Sequence, residues 1–311
     1  MRSAWEALLA RSPQASVFSH LALGEHVGRA FGLRPRVAGA WEGDVLRAGV
    51  LLYEKRRGPY CAAAIPPLVP RVSPLLDRPP READTHYRRS PLQALLGCVA
   101  ERFHQASLAA HPSLVDARPF QWGGWHVTPA YTYARDLRPG EEVTAAWSST
   151  TRHAWQNHRE AFEVAEGVDG LDEVLALVEA SHERQQQPLS VPSAAMRSLL
   201  ARLAESGLAR LFVARRDGDA EAGVAVLSDG RAAHYWLAGS RPGPAMTVLV
   251  AAVLTRLRDE GVAYFDFAGA NTPSIAEFKR KFGCRLVPYV RARRVSRPEL
   301  RLLDALRRRS F

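Results

Sequence analysis

Lysine is almost missing from this 311-residue chain: only Lys55, Lys279 and Lys281 occur, and every other one of the 42 Lys plus Arg residues is arginine. Arginine keeps its charge almost everywhere, whereas lysine is a compact charge whose pKa moves on burial. Two of the three lysines standing one residue apart therefore mark 279–281 as a segment for chemistry. Cysteine is scarce too. Cys61, Cys98 and Cys284 are odd in number and far apart, which excludes a disulfide framework and offers no metal-ligand spacing. A reduced chain without a metal is the expectation. No apolar run reaches the ~18–20 residues of a membrane helix. The start, Met1-Arg-Ser-Ala-Trp-Glu-Ala-Leu-Leu, carries an acid and lacks a long apolar core, so no signal peptide is expected. A cytoplasmic location follows as the expectation. The ten histidines are scattered, and no Ser-His-Asp or Cys-His set is spaced persuasively.

What is present is positive charge. The formal net charge is +10 and the pI near 10.0. Such an excess suits an anionic partner, whether RNA, an acidic cofactor or a membrane surface, or it serves solubility alone. The chain is long enough for two domains, and 47% hydrophobic residues suffice for two cores. The expected division is 1–140 and 141–311.

Residues 1–33 read as helical, with a second helix from His20 to Phe31 closed by Gly32. β-type runs follow at Arg34–Trp41, Asp44–Glu54 and Cys61–Ile65. Seven prolines between 66 and 91 predict a loop. Pro91–Ala110 reads as one amphipathic helix, and Leu114–Gly124 and Trp125–Leu137 as strands. After a polar helix over Arg152–Phe162, the order becomes regular. Helices Leu171–His182 and Pro192–Gly207 precede strands Ala209–Arg215, Glu221–Ser228 and Arg231–Ala238, with Asp217-Gly218 and Asp229-Gly230 as turn signals. Then come helix Ala245–Glu260, strand Val262–Phe267, helix Ile275–Phe282, strand Arg285–Val295 and a basic helix Pro298–Arg309. The first half reads as a shorter version of the same order. The expected fold class is α/β (α+β): two similar domains with mixed, mostly antiparallel sheets, and a cleft between them.

Three antiparallel strands, a loop, a long helix, a strand, a short helix and a last strand resemble the acetyltransferase-like (GNAT) fold. Local residues narrow the resemblance. Ala209-Arg-Leu-Phe-Val-Ala-Arg, His234-Tyr-Trp-Leu-Ala-Gly-Ser, Tyr264-Phe-Asp-Phe-Ala-Gly-Ala-Asn and Phe278-Lys-Arg-Lys-Phe-Gly resemble the Fem family of aminoacyl-tRNA-dependent peptidyltransferases. Tyr131-Thr-Tyr-Ala-Arg-Asp-Leu and Thr151-Arg-His-Ala-Trp-Gln-Asn are similar to that family's domain junction. The likeness covers about 125–295 well and 1–124 weakly. It implies tandem GNAT-like domains and an amide-forming reaction in which an amine attacks the ester carbonyl of an aminoacyl-tRNA. No cofactor is implied, and aminoacyl-tRNA is the co-substrate. There is no room for the helical hairpin that family members often insert in the second domain. A minimal member acting on a small soluble acceptor with a free amine is therefore implied.

Acyl transfer to an amine builds negative charge on the carbonyl oxygen, and a cation aimed there lowers the barrier. The family's Phe-Lys pair puts Lys279 in that role, with Phe278 shaping the pocket. The alternative is a solvated basic face shared with Lys281. Asp266, near the end of a buried strand, either orients the acceptor amine or accepts its proton, or else only caps the turn after it. Asn271 is a substrate contact or a turn residue. Tyr235 and Trp236 are candidates to stack on an adenine or line a peptide groove. Arg152 and Arg184 suit a phosphate or carboxylate. Gly239-Ser-Arg-Pro-Gly-Pro-Ala245 occupies the place where GNAT enzymes hold the pyrophosphate of CoA. Their pattern is Arg or Gln, two residues, Gly, one residue, Gly or Ala. Here Ser240 stands first, and Pro242 and Pro244 remove two amide donors. The loop therefore weakens an acyl-CoA donor, and Arg241 is left to meet a tRNA phosphate. Lys281, Lys55 and Arg56, and the Arg307–Arg309 cluster, are further candidates for RNA phosphates. Two other readings stay open: an acyl-CoA-dependent N-acyltransferase such as acetyl-CoA would serve, and a non-catalytic RNA-binding or scaffold protein. Oligomeric state is not legible in the sequence.

Overall fold

In the computed structural model, residues 1–78, 90–297 and 299–300 are described. The chain divides by internal contacts into two units, residues 1–130 with 288–311, and residues 131–287. Apart from residues 299–300, the expected basic helix at Pro298–Arg309, with its Arg307–Arg309 cluster, lies outside the described residues.

Unit 1 opens with α1 (Arg2–Arg11) and α2 (Leu21–Phe31). Gly32, at φ 63°, closes α2 in the left-handed conformation that glycine adopts without a Cβ clash. Strands β1 (Arg34–Glu42), β2 (Val45–Arg57) and β3 (Tyr60–Ala64) follow as antiparallel neighbours. The two-residue strand β4 (Leu75–Leu76) pairs with β2 inside the proline-rich segment. Helix α3 (Pro91–Arg102) starts where Ser90 Oγ accepts from the Gln93 amide at 3.1 Å and Pro91 takes the first turn. Its stripe of Leu92, Leu95, Leu96 and Val99 is buried. The helix stops eight residues short of the expected Ala110. Gln105–Ala109 is instead strand β5, parallel to β3 and antiparallel to β12 (Arg285–Val295). Small residues such as Ala106 and Ala109 suit either state, so the neighbouring strands decide. Leu114–Gly124 is likewise not a strand: it is a loop and the short helix α4 (Arg118–Trp122), with Pro119 in its first turn. The pairing of Arg291–Val295 with Gln105–Ala109 places the chain from Pro288 onward in unit 1. A linear split at 140 does not follow that return.

Unit 2 begins in the second half of β6 (His126–Asp136) and continues through α5 (Ser149–His158), β7 (Glu163–Glu166), α6 (Leu171–Arg184) and α7 (Ser193–Glu205). Then come β8 (Ala209–Arg216), β9 (Asp219–Ser228), β10 (Ala232–Ser240), α8 (Ala245–Asp259), β11 (Tyr264–Asp266) and α9 (Pro273–Arg280). The sheet order within the unit is β6-β11-β10-β9-β8-β7, antiparallel except for β10 with β11. Asp217 and Gly218, at φ 52° and 87°, make the tight turn that joins β8 to β9. Helix α8 is buried along most of its length, and Leu249, Leu254 and Leu257 are fully enclosed. Each such leucine contributes about 1.5–3 kcal/mol of hydrophobic stabilisation. Gly239 on β10 permits a close approach: a Cβ there would lie 2.2 Å from the Leu177 backbone of α6. This contact holds the end of β10, and the loop after it, against α6.

Candidate functional site

The site grows from one turn. Asp266 ends β11, buried, and its Oδ1 accepts from the Ala268 amide two residues on at 2.8 Å. That Asx-type turn carries Ala268 into the left-handed region, φ 53°, and Gly269 to φ 103°. A non-glycine residue there is uncommon and stores backbone strain. Thr132 on β6 clamps the arrangement from the neighbouring strand. Its hydroxyl donates to Asp266 Oδ1 and accepts from the Gly269 amide at 2.9 Å.

The turn directs three successive carbonyls to one point, and Lys279 fills it. Its Nζ donates to the oxygens of Phe267, Ala268 (3.2 Å) and Gly269 (2.9 Å). The side chain is 6% exposed, and Nζ lies 5.7 Å from the centroid of the Tyr235 ring. Burial pushes the Lys279 pKa down to about 8, against the Asp266 carboxylate, which pulls it up. An ammonium in this position carries a concentrated charge and three filled hydrogen bonds.

α9 holds Lys279 in place through aromatic packing. Phe282 stacks on Phe267 at 5.5 Å between centroids and meets Phe278 edge-on at 5.0 Å. Arg135 of β6, buried, donates to the carbonyls of Val143 and Phe282. The Cys284 thiol is pushed up to about 12 by burial, so it stays protonated and does not compete as a nucleophile.

The remaining sequence candidates divide. Tyr235 is at the site: its ring lies 5.4 Å from Phe267 and its hydroxyl meets Met246 Sδ at 3.3 Å. Trp236 is half-buried and falls where the β10–β9 register slips between Tyr235 and Leu237, a bulge beside the site. Asn271 clamps the turn to β6, its Oδ1 accepting from the Tyr131 amide at 2.9 Å and its Nδ2 donating to the Tyr131 carbonyl at 3.1 Å. Phe278 packs on the core as described. Arg184 lies elsewhere, donating to the Ser240 carbonyl at 3.0 Å next to exposed Arg241. Arg152 binds the Ala145 carbonyl at 3.1 Å. Lys281 lies 3.8 Å from Glu277 on a partly exposed face. Lys55 and Arg56 are exposed on β2 in unit 1. Sequence reasoning passed over Thr132 and His234. Thr132 stands in the junction motif, and the inward alternation of Thr132 and Ala134 on β6 was its signal. His234, buried, is the register partner of Asp266, with Nδ1 3.8 Å from Oδ2.

With this geometry in view, residues 148–280 match the family model described as "Acetyltransferase (GNAT) domain". The chain has the GNAT fold, which residues 148–280 share with that family. The solved structure of FemX superposes with a TM-score of 0.72 at 12% identity, covering 93% of this chain and 95% of that one. The C-terminal domain of a putative lysylphosphatidylglycerol synthetase from Agrobacterium fabrum gives 0.59 at 15%, covering 98% and 96%. A tandem GNAT protein from the clavulanic acid biosynthesis pathway gives 0.54 at 17%, covering 95% of each chain. At these identities the likeness is one of fold. No curated protein gives a significant match to the sequence. The tandem GNAT expectation agrees with these superpositions, and acyl transfer is the chemistry of the matched domain. Among the described residues no helix is long and apolar enough to cross a membrane, and no His, Cys, Asp and Glu cluster is suited to a metal.

Proposed function

We propose that this Fem-like protein transfers an aminoacyl group from aminoacyl-tRNA to the free amine of a small or peptide acceptor, forming an amide in the cytoplasm without a bound cofactor. The amine attacks the ester carbonyl, the C–N bond forms, and the 3′ oxygen of the tRNA leaves with a proton. Lys279 stabilises the oxyanion, and Asp266, held by Thr132, orients the amine or takes its proton. Tyr235 supplies the apolar wall.

The observation that carries the choice of donor is the loop after β10. A GNAT pyrophosphate site uses backbone amides at the start of the following helix. Here Pro242 and Pro244 have none, and the Arg241 amide already bonds the Glu221 carbonyl at 2.8 Å. That reduces the donors the loop can offer a pyrophosphate. Exposed Arg241 and the net charge of +10 favour a polyanionic donor instead.

The test runs charged tRNA, uncharged tRNA and acetyl-CoA in parallel, following thermal stability and, with a mixture of amine acceptors, amide products by mass spectrometry. A ligand at ~100 times its dissociation constant adds ~2.7 kcal/mol of stability. A salt-sensitive shift with tRNA and an aminoacylated product are expected. A shift and acyl product with acetyl-CoA alone overturn the reading in favour of a CoA-dependent N-acyltransferase. Binding of tRNA without any product favours the scaffold.

A further inference from the structure

A second charged centre lies in unit 1, apart from the chemistry. Near the end of β2 the Glu54 side chain is 1% exposed, yet it faces three guanidiniums from three elements. Arg36 on β1 brings Nε to 3.7 Å, Arg56 donates from Nε at 2.9 Å, and Arg102 at the end of α3 brings Nη2 to 3.5 Å. The acid is sealed, but the arginine side chains are 55%, 60% and 56% exposed. Arg34 is the cross-strand neighbour of Glu54 and shares its face. Three guanidiniums around one carboxylate leave an excess of two positive charges, and Arg34, Lys55 and Arg57 extend it along the same hairpin end.

Half-exposed ion pairs add little stability, so stability does not account for three arginines on one buried acid. The chemistry of the guanidinium does. Arg56 Nε–H donates to the carboxylate while Arg36 and Arg102 stand within ion-pair distance of it, and the N–H groups turned outward remain to pair with phosphate oxygens. A surface that binds lipid joins its basic residues to exposed apolar anchors. On this hairpin the exposed Trp41 and Val45 lie at the far end, since Arg34 pairs with Glu54 and Trp41 with Leu46.

We propose that the arginine fan held on Glu54 is a surface by which this chain grips the phosphate backbone of RNA. It rests on the tRNA-donor reading and assigns the grip to unit 1, while the reaction centre is in unit 2.

The test is fluorescence anisotropy of uncharged tRNA with the full chain over a series of salt concentrations. Arg36→Gln, Arg56→Gln and Arg102→Gln are combined in a Glu54→Gln background, so that no bare carboxylate is left buried, with Glu54→Gln alone as the baseline. Each lost phosphate contact removes ~0.7–0.9 from the slope of log K against log salt, so the slope falls by roughly two to three and affinity at low salt by at least tenfold. A control losing Arg197, Arg202 and Arg231 of unit 2 to Gln keeps its slope within roughly one of wild type. Should the combined variant misfold by circular dichroism, Arg102→Gln alone gives an expected drop of roughly one. Equal losses in fan and control overturn the proposal, and so does an unchanged slope in a fan variant whose wild type binds. A wild type that does not bind tRNA overturns the donor reading and the fan together. Loss of binding to phosphatidylglycerol vesicles with tRNA binding unchanged overturns it in favour of a membrane surface.

Discussion

Lys279 in unit 2 and Glu54 in unit 1 are inverse solutions to one problem, a buried charge. Lys279 is a cation enclosed by carbonyl dipoles of a single strained turn, with Asp266 as the charge that supports it. Glu54 is an anion enclosed by full charges whose own side chains remain half in water. Dipoles cannot offset desolvation completely, so the lysine proton is loosened. The guanidiniums do more: Arg56 above all holds the Glu54 carboxyl below its usual range. The first arrangement keeps a charge inward, against the carbonyls of one turn. The second displays charge outward. This contrast explains why lysine, so scarce here, stands where a movable pKa and a compact head are useful, and arginine where a fork is needed.

The largest effect that would break the contrast is catalytic. Lys279→Ala is expected to lower turnover by ~100- to 1000-fold, the loss typical of one oxyanion donor. Single-turnover assays with charged tRNA read it directly. Turnover within threefold of wild type would reduce Lys279 to a cap on the 267–269 carbonyls.

The next effect is in pH. The unfolded chain holds the lysine proton to about pH 10.5, the folded chain only to about 8. Between those values the unfolded state binds more protons, so stability rises with pH, by up to about 3 kcal/mol, and is flat below pH 8. Burial raises the Tyr235 hydroxyl pKa, which gives the opposite slope above pH 10. The difference between wild type and Lys279→Met in denaturant unfolding at pH 7 and pH 9.5 isolates the lysine. A difference that does not change with pH sinks the assignment.

Glu54→Gln carries the third effect. It is expected to cost up to about 1 kcal/mol at pH 7, the upper end for ion pairs whose partners stand half in water. Because the folded carboxyl titrates below the unfolded one, that stability is present above about pH 4.3 and lost as pH falls further. Thermal melts at pH 7 and pH 3 should therefore converge for variant and wild type at the lower pH. Lys281→Ala is expected to be the mildest. Its pairing with Glu277 is exposed and adds little stability, and kcat should stay within twofold. A loss comparable to that of Lys279→Ala would move the reactive cation to position 281.

Much of unit 2 was legible because each signal was local. Asp-Gly turns, apolar periodicity in α6, α7 and α8, and alternation in β8 to β10 need no distant neighbour. Unit 1 was read less well for the opposite reason. Gln105–Ala109 becomes a strand only because β3 and β12 are there to pair with it, and α4 forms from a stretch whose β-type residues mislead. At the site, Lys279 and Asp266 were visible as unusual residues in a broken segment. Thr132 and His234 were not, since each matters only through a strand neighbour far along the chain.

By itself the sequence determined the excess of positive charge, the order of elements in the second half, and the rarity of lysine that singles out 279. Those are properties of single residues and short windows, and physics acts on them locally. Only the tertiary structure decided that Ala268 is left-handed, that three carbonyls converge on Lys279, and that arginines from β1, β2 and α3 meet at Glu54. Each of these depends on strand register and helix packing between residues far apart in the chain, where a shift of one position would turn every side chain to the other face.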